Sequence, residues 1–517
     1  MKRETVLAAV EPGVFVDGEW RHGEGATLDL IDPCSAQPIA RVSAASTADV
    51  DEAVAAAARA LLGWRKTPVT ARGDLLERIA QGIEARSVEL IDLQMQCNGK
   101  PRFEAQLDVS DAAATFHYYA QLCRDGGVAT TSTVALPDPG FDAEVRHEAV
   151  GVCALIVPWN FPLVTAAWKL APALAAGCTA VIKPSELTPL AERALVDIVA
   201  AAGVPAGVVN LVAGAREVGA HLAAHRGVAK VSFTGSTAAG QAVMRAAADR
   251  MQRVSLELGG KSALIVFDDA DLDEAVELAF NGAFFNAGQM CSATSRVLVA
   301  RALHDAFVER LVALARTATV AAPDDADARM GPLISAAQRE RVLGLLARGK
   351  DEGARVLCGG ALARPGFFVA PTVCANVAPD NVLWREEIFG PVALVRAFDT
   401  EYEAIALAND SDYGLVATVV TADAERAARV ADACESGVVW VNAPQVIFPQ
   451  TGWGGRKLSG IGRELGPWGV RAYQEIKHVI RARPAGAPSS PSLPPLPPSP
   501  PSPPSPPSPS APQSQQP

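Results

Sequence analysis

The sequence lacks the features that mark metal-binding, disulfide-linked or nucleic-acid-binding proteins. Its nine cysteines are scattered without a Cys-x-x-Cys pair, and its seven histidines form no group with metal-ligand spacing. An odd number of dispersed thiols is typical of a reducing compartment. The formal net charge is −11, so the overall charge favours neither nucleic acid nor an anionic membrane as a partner.

The N-terminus has neither the apolar core of a secretory signal nor the Arg- and Ser-rich pattern of a transit peptide. We therefore expect a cytoplasmic protein. The most apolar stretch, Val152 to Ile182, contains three prolines and Lys169. This composition favours the interior of a domain over a membrane span.

The sequence is long and rich in hydrophobic residues, and its predicted strands and helices alternate. The 517 residues are 49% hydrophobic, which is typical of a soluble enzyme with two or three domains. From Val150 onward, short buried-strand patterns alternate with Ala-rich helical stretches, and the alternation repeats after Glu257. The fold class is therefore α/β, with two doubly wound parallel-sheet domains meeting near Glu257 to Lys261, where a nucleotide is expected to bind.

The tail from Pro484 to Pro517 repeats PPSPPSPPS and has no aromatic residue. This composition predicts an extended or disordered appendage. Because P-x-x-P occurs, the tail could be a ligand for a proline-recognising module. We favour the alternative, a solvated tail without a role in catalysis.

Cys291 and Glu257 are the first candidates for chemistry. A lone cysteine is usually a buried core residue, but Glu257 stands upstream in SLELGGKS, where a strand ends before two glycines. A thiolate can attack a carbonyl, and a desolvated carboxylate can activate water to release the acyl group. The absence of histidine between the two argues against a Cys-His hydrolase.

Three further motifs suggest an oxyanion site and a nucleotide site. Asn160 in PWNFPL carries a neutral amide suited to an oxyanion, although it could be an ordinary turn residue. Lys183 and Glu186 in KPSE could bind a ribose diol or form a surface ion pair. The turn Gly235–Ser236 leads into a helix whose first amides could bind a pyrophosphate.

Together these residues resemble the aldehyde dehydrogenase superfamily over residues 12 to 480. The resemblance rests on PWNFPL, KPSE, FTGS, LELGGKS, GQMCSATSR, EEIFGPV, NDSDYGL, WVN and GRKLSGIGRELG, in family order. It implies aldehyde oxidation through a thiohemiacetal and thioester on Cys291. Glu257 would be the general base, and Asn160 with the Cys291 N–H would bind the oxyanion.

The resemblance also implies NAD as the cofactor. Lys183 and Glu186 match the pair that holds the adenosine ribose, and the Glu186 carboxylate would repel the 2′-phosphate of NADP. Ser236, in its turn with Gly235, matches the pyrophosphate contact. Three further residues match positions around the nicotinamide ribose or its cleft: Trp159, Glu387 and Phe389.

Within the superfamily the chain is most similar to the betaine aldehyde and aminoaldehyde dehydrogenases. Their cationic substrates imply aromatic walls and entrance carboxylates. The matching positions are Trp168, Trp453, Asp108 and Asp111, with Phe161 where tyrosine is usual and Phe285 where tryptophan is usual.

Departures from the group's pattern concern substrate and ion binding. Ile447 replaces a small residue or cysteine, and Val438 occupies a position linked to ammonium size. We expect an ω-aminoaldehyde such as 4-aminobutanal or 3-aminopropanal, and betaine aldehyde less strongly. Cys97 replaces an aspartate of a monovalent-cation site, so no metal site is predicted.

Three alternatives stay open at this point. The chain could be a general aliphatic or aromatic aldehyde dehydrogenase, a CoA-acylating dehydrogenase, or a non-catalytic structural protein of the same fold. Glu257 argues against the CoA-acylating type, whose members typically lack this glutamate.

The resemblance implies a domain layout as well. It assigns 1–126 and 148–258 to NAD binding, 259–455 to catalysis, 127–147 and 470–483 to oligomerisation, and 484–517 to the tail. The segment 127–147 reads as a protruding β-hairpin, which is marginal alone and should pair with another subunit. We expect a homodimer or homotetramer.

Overall fold

The structure is a computed structural model that describes residues 10–128 and 131–484. In chain order its strands are β1 (Val10–Glu11), β2 (Val14–Val16), β3 (Glu19–Arg21), β4 (Thr27–Asp32), β5 (Gln37–Ser43), β6 (Thr131–Val134), β7 (Phe141–Ala149), β8 (Val152–Ile156), β9 (Thr179–Lys183), β10 (Val209–Val212), β11 (Lys230–Thr234), β12 (Arg253–Glu257), β13 (Ala263–Val266), β14 (Arg296–Ala300), β15 (Arg355–Ala361), β16 (Val369–Ala375), β17 (Val392–Phe398), β18 (Tyr413–Gly414), β19 (Val416–Val420), β20 (Val438–Val441), β21 (Arg456–Lys457), β22 (Gly460–Ile461) and β23 (Gln474–Ala482). The helices are α1 (Thr47–Trp64), α2 (Val69–Ala85), α3 (Ser87–Asn98), α4 (Arg102–Arg124), α5 (Pro162–Ala176), α6 (Leu190–Ala201), α7 (Arg216–Ala224), α8 (Thr237–Ala248), α9 (Leu272–Phe284), α10 (Arg301–Thr317), α11 (Ala336–Asp351), α12 (Val382–Arg385), α13 (Glu401–Asn409), α14 (Ala424–Ala433) and α15 (Gly466–Arg471), with a 3₁₀ turn at Phe285–Gly288.

The first sheet has the strand order β22-β12-β11-β8-β9-β10-β2-β3. Its central strands β12, β11, β8, β9 and β10 run parallel. Along β8, Val152 and Ala154 pack in one core with α1 and α7, whereas Cys153 and Leu155 pack in another with α5 and α6. Because side chains alternate between the two faces of a strand, helices cover both faces. The sheet is doubly wound, as predicted.

The second sheet has the order β15-β16-β17-β14-β13-β19-β20. All its neighbouring pairs are parallel except β15 with β16. The first sheet reaches Glu257 at the end of β12, and the second begins at Ala263. The few residues between them include the two glycines of the LELGGKS motif. The domain boundary at 258/259 stays a prediction.

The apolar stretch Val152 to Ile182 forms β8, α5 and most of β9. Every residue of α5 is buried, including Pro172 inside the helix. The composition of this stretch therefore reflects the interior of the first core. Among the described helices, none is both long enough and apolar enough to cross a membrane.

A smaller unit consists, within the described residues, of 131–146 and 476–484. Strands β6 and β7 form an antiparallel ribbon that pairs Thr131 with Arg146, and β23 joins it beside β7. Arg481 pairs with Glu144 at 3.0 Å. The ribbon lies where the sequence predicted a hairpin. Beyond Pro484, the predicted proline-rich tail lies outside the described residues.

Candidate active site

A cavity of about 1300 Å³ opens among the described residues. It is bordered by α4, α5, the start of α8, the end of β12, the segment before β14 and the loop that follows β20. It brings together almost every residue that the sequence singled out: Asp108, Asp111, Trp159, Asn160, Phe161, Trp168, Gly235, Ser236, Glu257, Phe285, Cys291, Glu387, Phe389 and Trp453. Lys183 and Glu186 do not border it.

Cys291 is half-buried in the wall of this cavity. Burial, followed by the nearby Glu257 and Glu387 carboxyls, raises the pKa of its thiol to about 12. The resting nucleophile is therefore a thiol, and a base must take its proton before it attacks.

Two glycines allow the cavity wall to close around the nucleophile. A Cβ on Gly260 would lie 2.4 Å from the Cys291 carbonyl oxygen, and one on Gly259 would lie 2.1 Å from Glu387 Oε2. Neither glycine has a positive φ. The Gly-Gly pair is thus required by close approach of neighbouring groups, not by the tight turn that the sequence suggested.

Glu257 is the last residue of β12 and is 4% exposed. No described residue hydrogen-bonds either of its carboxyl oxygens. Burial, followed by the nearby Glu464 carboxyl, raises its pKa well above the usual range, although Lys169 and Arg463 oppose this rise. A carboxyl in this environment is a strong base once it ionises.

Lys169 and Glu464 form a buried ion pair that the sequence analysis did not assign. Lys169 Nζ lies 2.5 Å from Glu464 Oε1 and donates to Thr234 Oγ1 at 2.6 Å. Ser232 Oγ donates to the same Glu464 oxygen at 3.1 Å. The sequence did indicate such a pair, because a lysine inside an apolar stretch needs a buried partner. The partner itself could not be identified, since Glu464 lies 295 residues away.

Asn160 follows β8 and is 5% exposed. Its Nδ2 donates to the Gln289 carbonyl at 2.9 Å, and its own carbonyl accepts from Lys100 Nζ at 2.9 Å. A side-chain amide has two N–H donors, so one holds the amide in place and the other is available for an oxyanion.

Aromatic rings form much of the cavity wall. Phe161 and Phe285 are nearly parallel, with centroids 6.3 Å apart and an interplanar angle of 11°. Trp168 and Trp453 are in tilted contact at 5.5 Å. Phe103, which the sequence analysis missed, meets Phe285 edge-on at 6.1 Å.

Phe103 could have been found from helix periodicity. Phe103, Leu107 and Asp111 are spaced by four residues on α4, and all three border the cavity. Phe448, on the loop after β20, also borders it and was missed. Loop residues have no periodicity that could have predicted this position.

The two candidate carboxylates of α4 have different surroundings. Asp108 Oδ2 lies 3.0 Å from Lys100 Nζ with both side chains fully buried, and Oδ1 accepts from the Val164 N–H at 2.9 Å. Asp108 also borders the cavity, but both of its oxygens already have protein partners, so its role facing the substrate ammonium stays a prediction. Asp111 is half-buried at the cavity, where burial and then the Asp108 charge raise its pKa to about 6.

Candidate cofactor residues lie at the carboxyl ends of adjacent parallel strands. Ser236 caps α8, accepting from the Ala239 N–H at 3.3 Å. Lys183 ends β9, and its Nζ lies 3.5 Å from Glu186 Oε2. Burial lowers the pKa of Lys183. The ends of β11, β8 and β9 are neighbours in the sheet, as expected for a nucleotide site.

The remaining cofactor candidates also border the cavity: Trp159, Glu387 and Phe389. Glu387 accepts the Gly260 N–H at 2.9 Å, and burial raises its pKa to about 7. Trp159 and Phe389 meet edge-on at 5.2 Å.

Cys97 is a buried thiol whose pKa burial raises to about 12. Within residues 10–128 and 131–484, no group of three or more His, Cys, Asp or Glu side chains is arranged to hold a metal ion.

Residues 20–479 match the model described as "Aldehyde dehydrogenase family". The chain is 45% identical over 478 residues to the chloroplastic aminoaldehyde dehydrogenase ALDH10A8 of Arabidopsis thaliana, covering 90% of this chain and 95% of that protein. It is 44% identical over 476 residues to the peroxisomal aminoaldehyde dehydrogenase 2 of Malus domestica, with the same coverage. It is also 44% identical over 481 residues to betaine aldehyde dehydrogenase 1 of Oryza sativa subsp. japonica, covering 91% and 95%.

Solved structures of aldehyde dehydrogenases also superpose on this chain. Betaine aldehyde dehydrogenase of Staphylococcus aureus in complex with NAD⁺ superposes with a TM-score of 0.89 at 38% identity, covering 92% of this chain and 95% of that one. The NAD⁺ complex of an aldehyde dehydrogenase from Bacillus cereus superposes with a TM-score of 0.89 at 40% identity, covering 92% and 97%.

The relatives correct one expectation. Their names include chloroplastic and peroxisomal enzymes. The expectation of a cytoplasmic protein is therefore wrong. It rested only on the composition of the N-terminal residues, which is a weak indicator of the compartment.

Proposed function

This chain belongs to the aldehyde dehydrogenase family, and from that membership we propose that it oxidises an ω-aminoaldehyde to the carboxylic acid, with NAD⁺ as the hydride acceptor. The chain is an aldehyde dehydrogenase, which excludes a purely structural role. One observation carries the proposal: Cys291, Glu257, Asn160 and a cavity-facing carboxylate, Asp111, border the same cavity.

The residues present fit a nicotinamide dinucleotide. The first turn of α8 has backbone N–H groups without helical partners, and these suit a pyrophosphate. Lys183 and Glu186 would hold the adenosine ribose, and Glu387 the nicotinamide ribose, beside Trp159 and Phe389. When bound, NAD⁺ supplies the acceptor for the hydride that leaves the substrate carbon.

In the first step, Cys291 attacks the aldehyde carbon. Glu257 is close enough to perturb the pKa of the thiol and, when ionised, takes its proton. The sulfur lone pair forms the C–S bond, and the carbonyl π electrons move to oxygen. The free N–H of the Asn160 amide stabilises this oxyanion. The product is a thiohemiacetal on Cys291.

Loss of hydride converts the thiohemiacetal into a thioester, which must then be hydrolysed. After its first proton has passed to solvent, Glu257 takes a proton from water while the water oxygen attacks the thioester carbon. The C–S bond breaks, the acid is released, and Cys291 regains a proton. Because no residue within 10–128 and 131–484 hydrogen-bonds the Glu257 carboxyl, both of its oxygens are available for this water.

The cationic end of the substrate is recognised by Asp111. A trimethylated ammonium has no N–H to donate and can offer Asp111 only its charge. A primary ammonium can instead donate hydrogen bonds to the half-buried Asp111 carboxylate. Trp168 and Trp453 would form the walls around the chain of the substrate.

A substrate panel tests the proposal. Purified enzyme is assayed with NAD⁺ and NADP⁺ against 3-aminopropanal, 4-aminobutanal, betaine aldehyde and a neutral aliphatic aldehyde. We expect kcat/KM to be highest for an aminoaldehyde with NAD⁺. If the neutral aldehyde gives the highest value, Asp111 does not select the substrate. If a folded Cys291→Ser protein still reduces NAD⁺ at the parent rate, the mechanism is wrong.

A further inference from the structure

The chain immediately before the nucleophile has an unusual backbone conformation. Asn286, Ala287 and Gly288 have φ of 50°, 54° and 70°, so three successive residues are left-handed. For non-glycine residues this conformation is unfavourable and persists only when neighbouring groups hold it. The contacts of this turn therefore hold a conformation that its own residues disfavour.

Glu104 supplies one of these contacts from α4. Its Oε1 accepts the Asn286 N–H at 2.8 Å. Within the turn, Gln289 Nε2 donates to the Asn286 carbonyl at 3.1 Å, and the Ile334 N–H donates to Gln289 Oε1 at 2.9 Å. The turn is thus fixed from α4 on one side and from the segment before α11 on the other.

The same turn holds the amide that we assign to the oxyanion. Asn286 Nδ2 donates to the Asn160 carbonyl at 3.1 Å, and Asn160 Nδ2 donates to the Gln289 carbonyl at 2.9 Å. A rotation of Asn286 would therefore move both the backbone and the side chain of Asn160.

Glu104 is poorly suited to a purely structural role. It is 0% exposed, and no described residue hydrogen-bonds its Oε2. Lys100 lies close enough to affect its charge, but the Lys100 ammonium is paired with Asp108 at 3.0 Å. Burying a half-satisfied carboxyl is unfavourable. In the part of the chain that the structure describes, the one hydrogen bond of the Glu104 side chain is the one that reaches the Asn286 turn.

We propose that Glu104 is a positioning residue that holds the Asn286–Gly288 turn and, through it, the oxyanion-binding amide of Asn160. Glu104 does not touch the substrate, so its effect is exerted entirely through Asn286. The proposal rests on the proposed function of Asn160 and Cys291.

A double-mutant cycle tests this coupling. Glu104→Met keeps the length of the side chain but removes the acceptor, and Glu104→Gln keeps an acceptor oxygen. We expect Glu104→Met to lower kcat about 30-fold with KM for NAD⁺ within about twofold, and Glu104→Gln to recover kcat to within about threefold of the parent. In an Asn160→Ala background, Glu104→Met should have almost no further effect, because residues that act as one unit are not additive.

Asp49 provides the matched control. It is also a buried carboxylate that accepts backbone N–H groups, from Glu24 at 3.0 Å and Ser46 at 2.7 Å, but it does not border the cavity. Asp49→Ala should lower Tm without changing kcat of the folded enzyme.

Each outcome is decisive. If Asn160→Ala alone leaves kcat unchanged, the proposed function of Asn160 fails. If Asn160→Ala lowers kcat and the effect of Glu104→Met is multiplicative with it, the proposed function stands and the role of Glu104 is overturned. If Glu104→Met does not fold, Glu104→Asp replaces it, because this substitution withdraws the carboxyl by one methylene. We then expect Glu104→Asp to lower kcat at an unchanged Tm. A parent-like kcat in Glu104→Asp overturns the proposal.

Discussion

A carboxyl is a stronger base near neutral pH when its surroundings disfavour the anion. Glu257 has such surroundings because it is buried, has no hydrogen-bonding partner among the described residues and lies near Glu464. Asp111 has a milder version of the same environment, with a pKa of about 6. The two carboxyls are therefore suited to different tasks, proton transfer and attraction of a cation.

Glu464→Gln should shift the pH dependence of the reaction. The substitution removes a negative charge that raises the pKa of Glu257 and leaves the Lys169 ammonium unpaired, so Glu257 ionises at lower pH. Because the ionised form is the base, the acidic limb of the plot of kcat against pH should shift to lower pH by about one unit. Ser232→Ala, which removes an uncharged donor to Glu464, should leave the limb in place. An unmoved limb in Glu464→Gln would contradict the coupling.

Asp111→Asn should raise KM for aminoaldehydes about tenfold, since a neutral amide attracts the ammonium much less than a carboxylate. The KM for a neutral aliphatic aldehyde should stay within about twofold, which serves as the internal control. In the parent enzyme, the pKa of Asp111 is raised to about 6. Its attraction is therefore present above that pH and lost as pH falls through it. If Asp111→Asn changed KM equally for both substrates, Asp111 would not distinguish a charged aldehyde from a neutral one.

At the scale of elements, the site is built where parallel strands end. β8, β11 and β12 deliver Asn160, the Gly235–Ser236 turn and Glu257 to one edge of the first sheet. The glycines that follow β12 let groups of the second sheet's segments approach this edge. The site therefore depends on backbone spacing as well as on reactive side chains.

Gly259→Ala should weaken NAD⁺ binding. The added Cβ would lie 2.1 Å from Glu387 Oε2, so Glu387 must move from the position assigned to the nicotinamide ribose. We expect the Kd for NAD⁺, measured by fluorescence titration, to rise by about tenfold, comparable to losing a charged hydrogen bond.

Gly344→Ala is the matched control, because no atom lies within 4 Å of its added Cβ inside α11. It should leave the Kd unchanged and stabilise the protein by up to about 1 kcal/mol through helix propensity. If both variants bind NAD⁺ like the parent, the close approach at Gly259 has no role in the cofactor site.

At the scale of the whole molecule, the β6–β7 ribbon with β23 is the proposed subunit contact. Ile476 and Ile480 of β23 are 62% and 63% exposed. A small ribbon with exposed apolar residues is marginal by itself. We therefore propose a homodimer or homotetramer.

Ile476→Arg with Ile480→Arg should shift the protein towards a monomer, because buried charges oppose association. Light scattering at micromolar concentration measures the mass. Tyr402→Arg, at an apolar residue that is 84% exposed on α13, should leave the parent mass unchanged. A parent protein that is already monomeric would refute the proposed contact.

The sequence by itself determined the fold class and singled out the proposed reacting groups. Strand and helix periodicity, together with motifs such as LELGGKS and PWNFPL, carry this information in short contiguous segments. Glu257 lies at the end of a strand and Cys291 in a segment that borders the same cavity, as the sequence predicted. Local patterns suffice here because each group needs only its own element to end at the sheet edge.

Only the tertiary structure decided which charged residues are free and which are paired. Asp108 and Asp111 are indistinguishable in sequence and both border the cavity, but Lys100 pairs with Asp108, whereas Asp111 stays half-buried at the cavity. Glu464, which perturbs Glu257, and Glu104, which holds the turn at Asn286, lie far from their partners in the chain. Hydrogen bonds and Coulomb interactions depend on distance in space, and no pattern along the chain contains that distance.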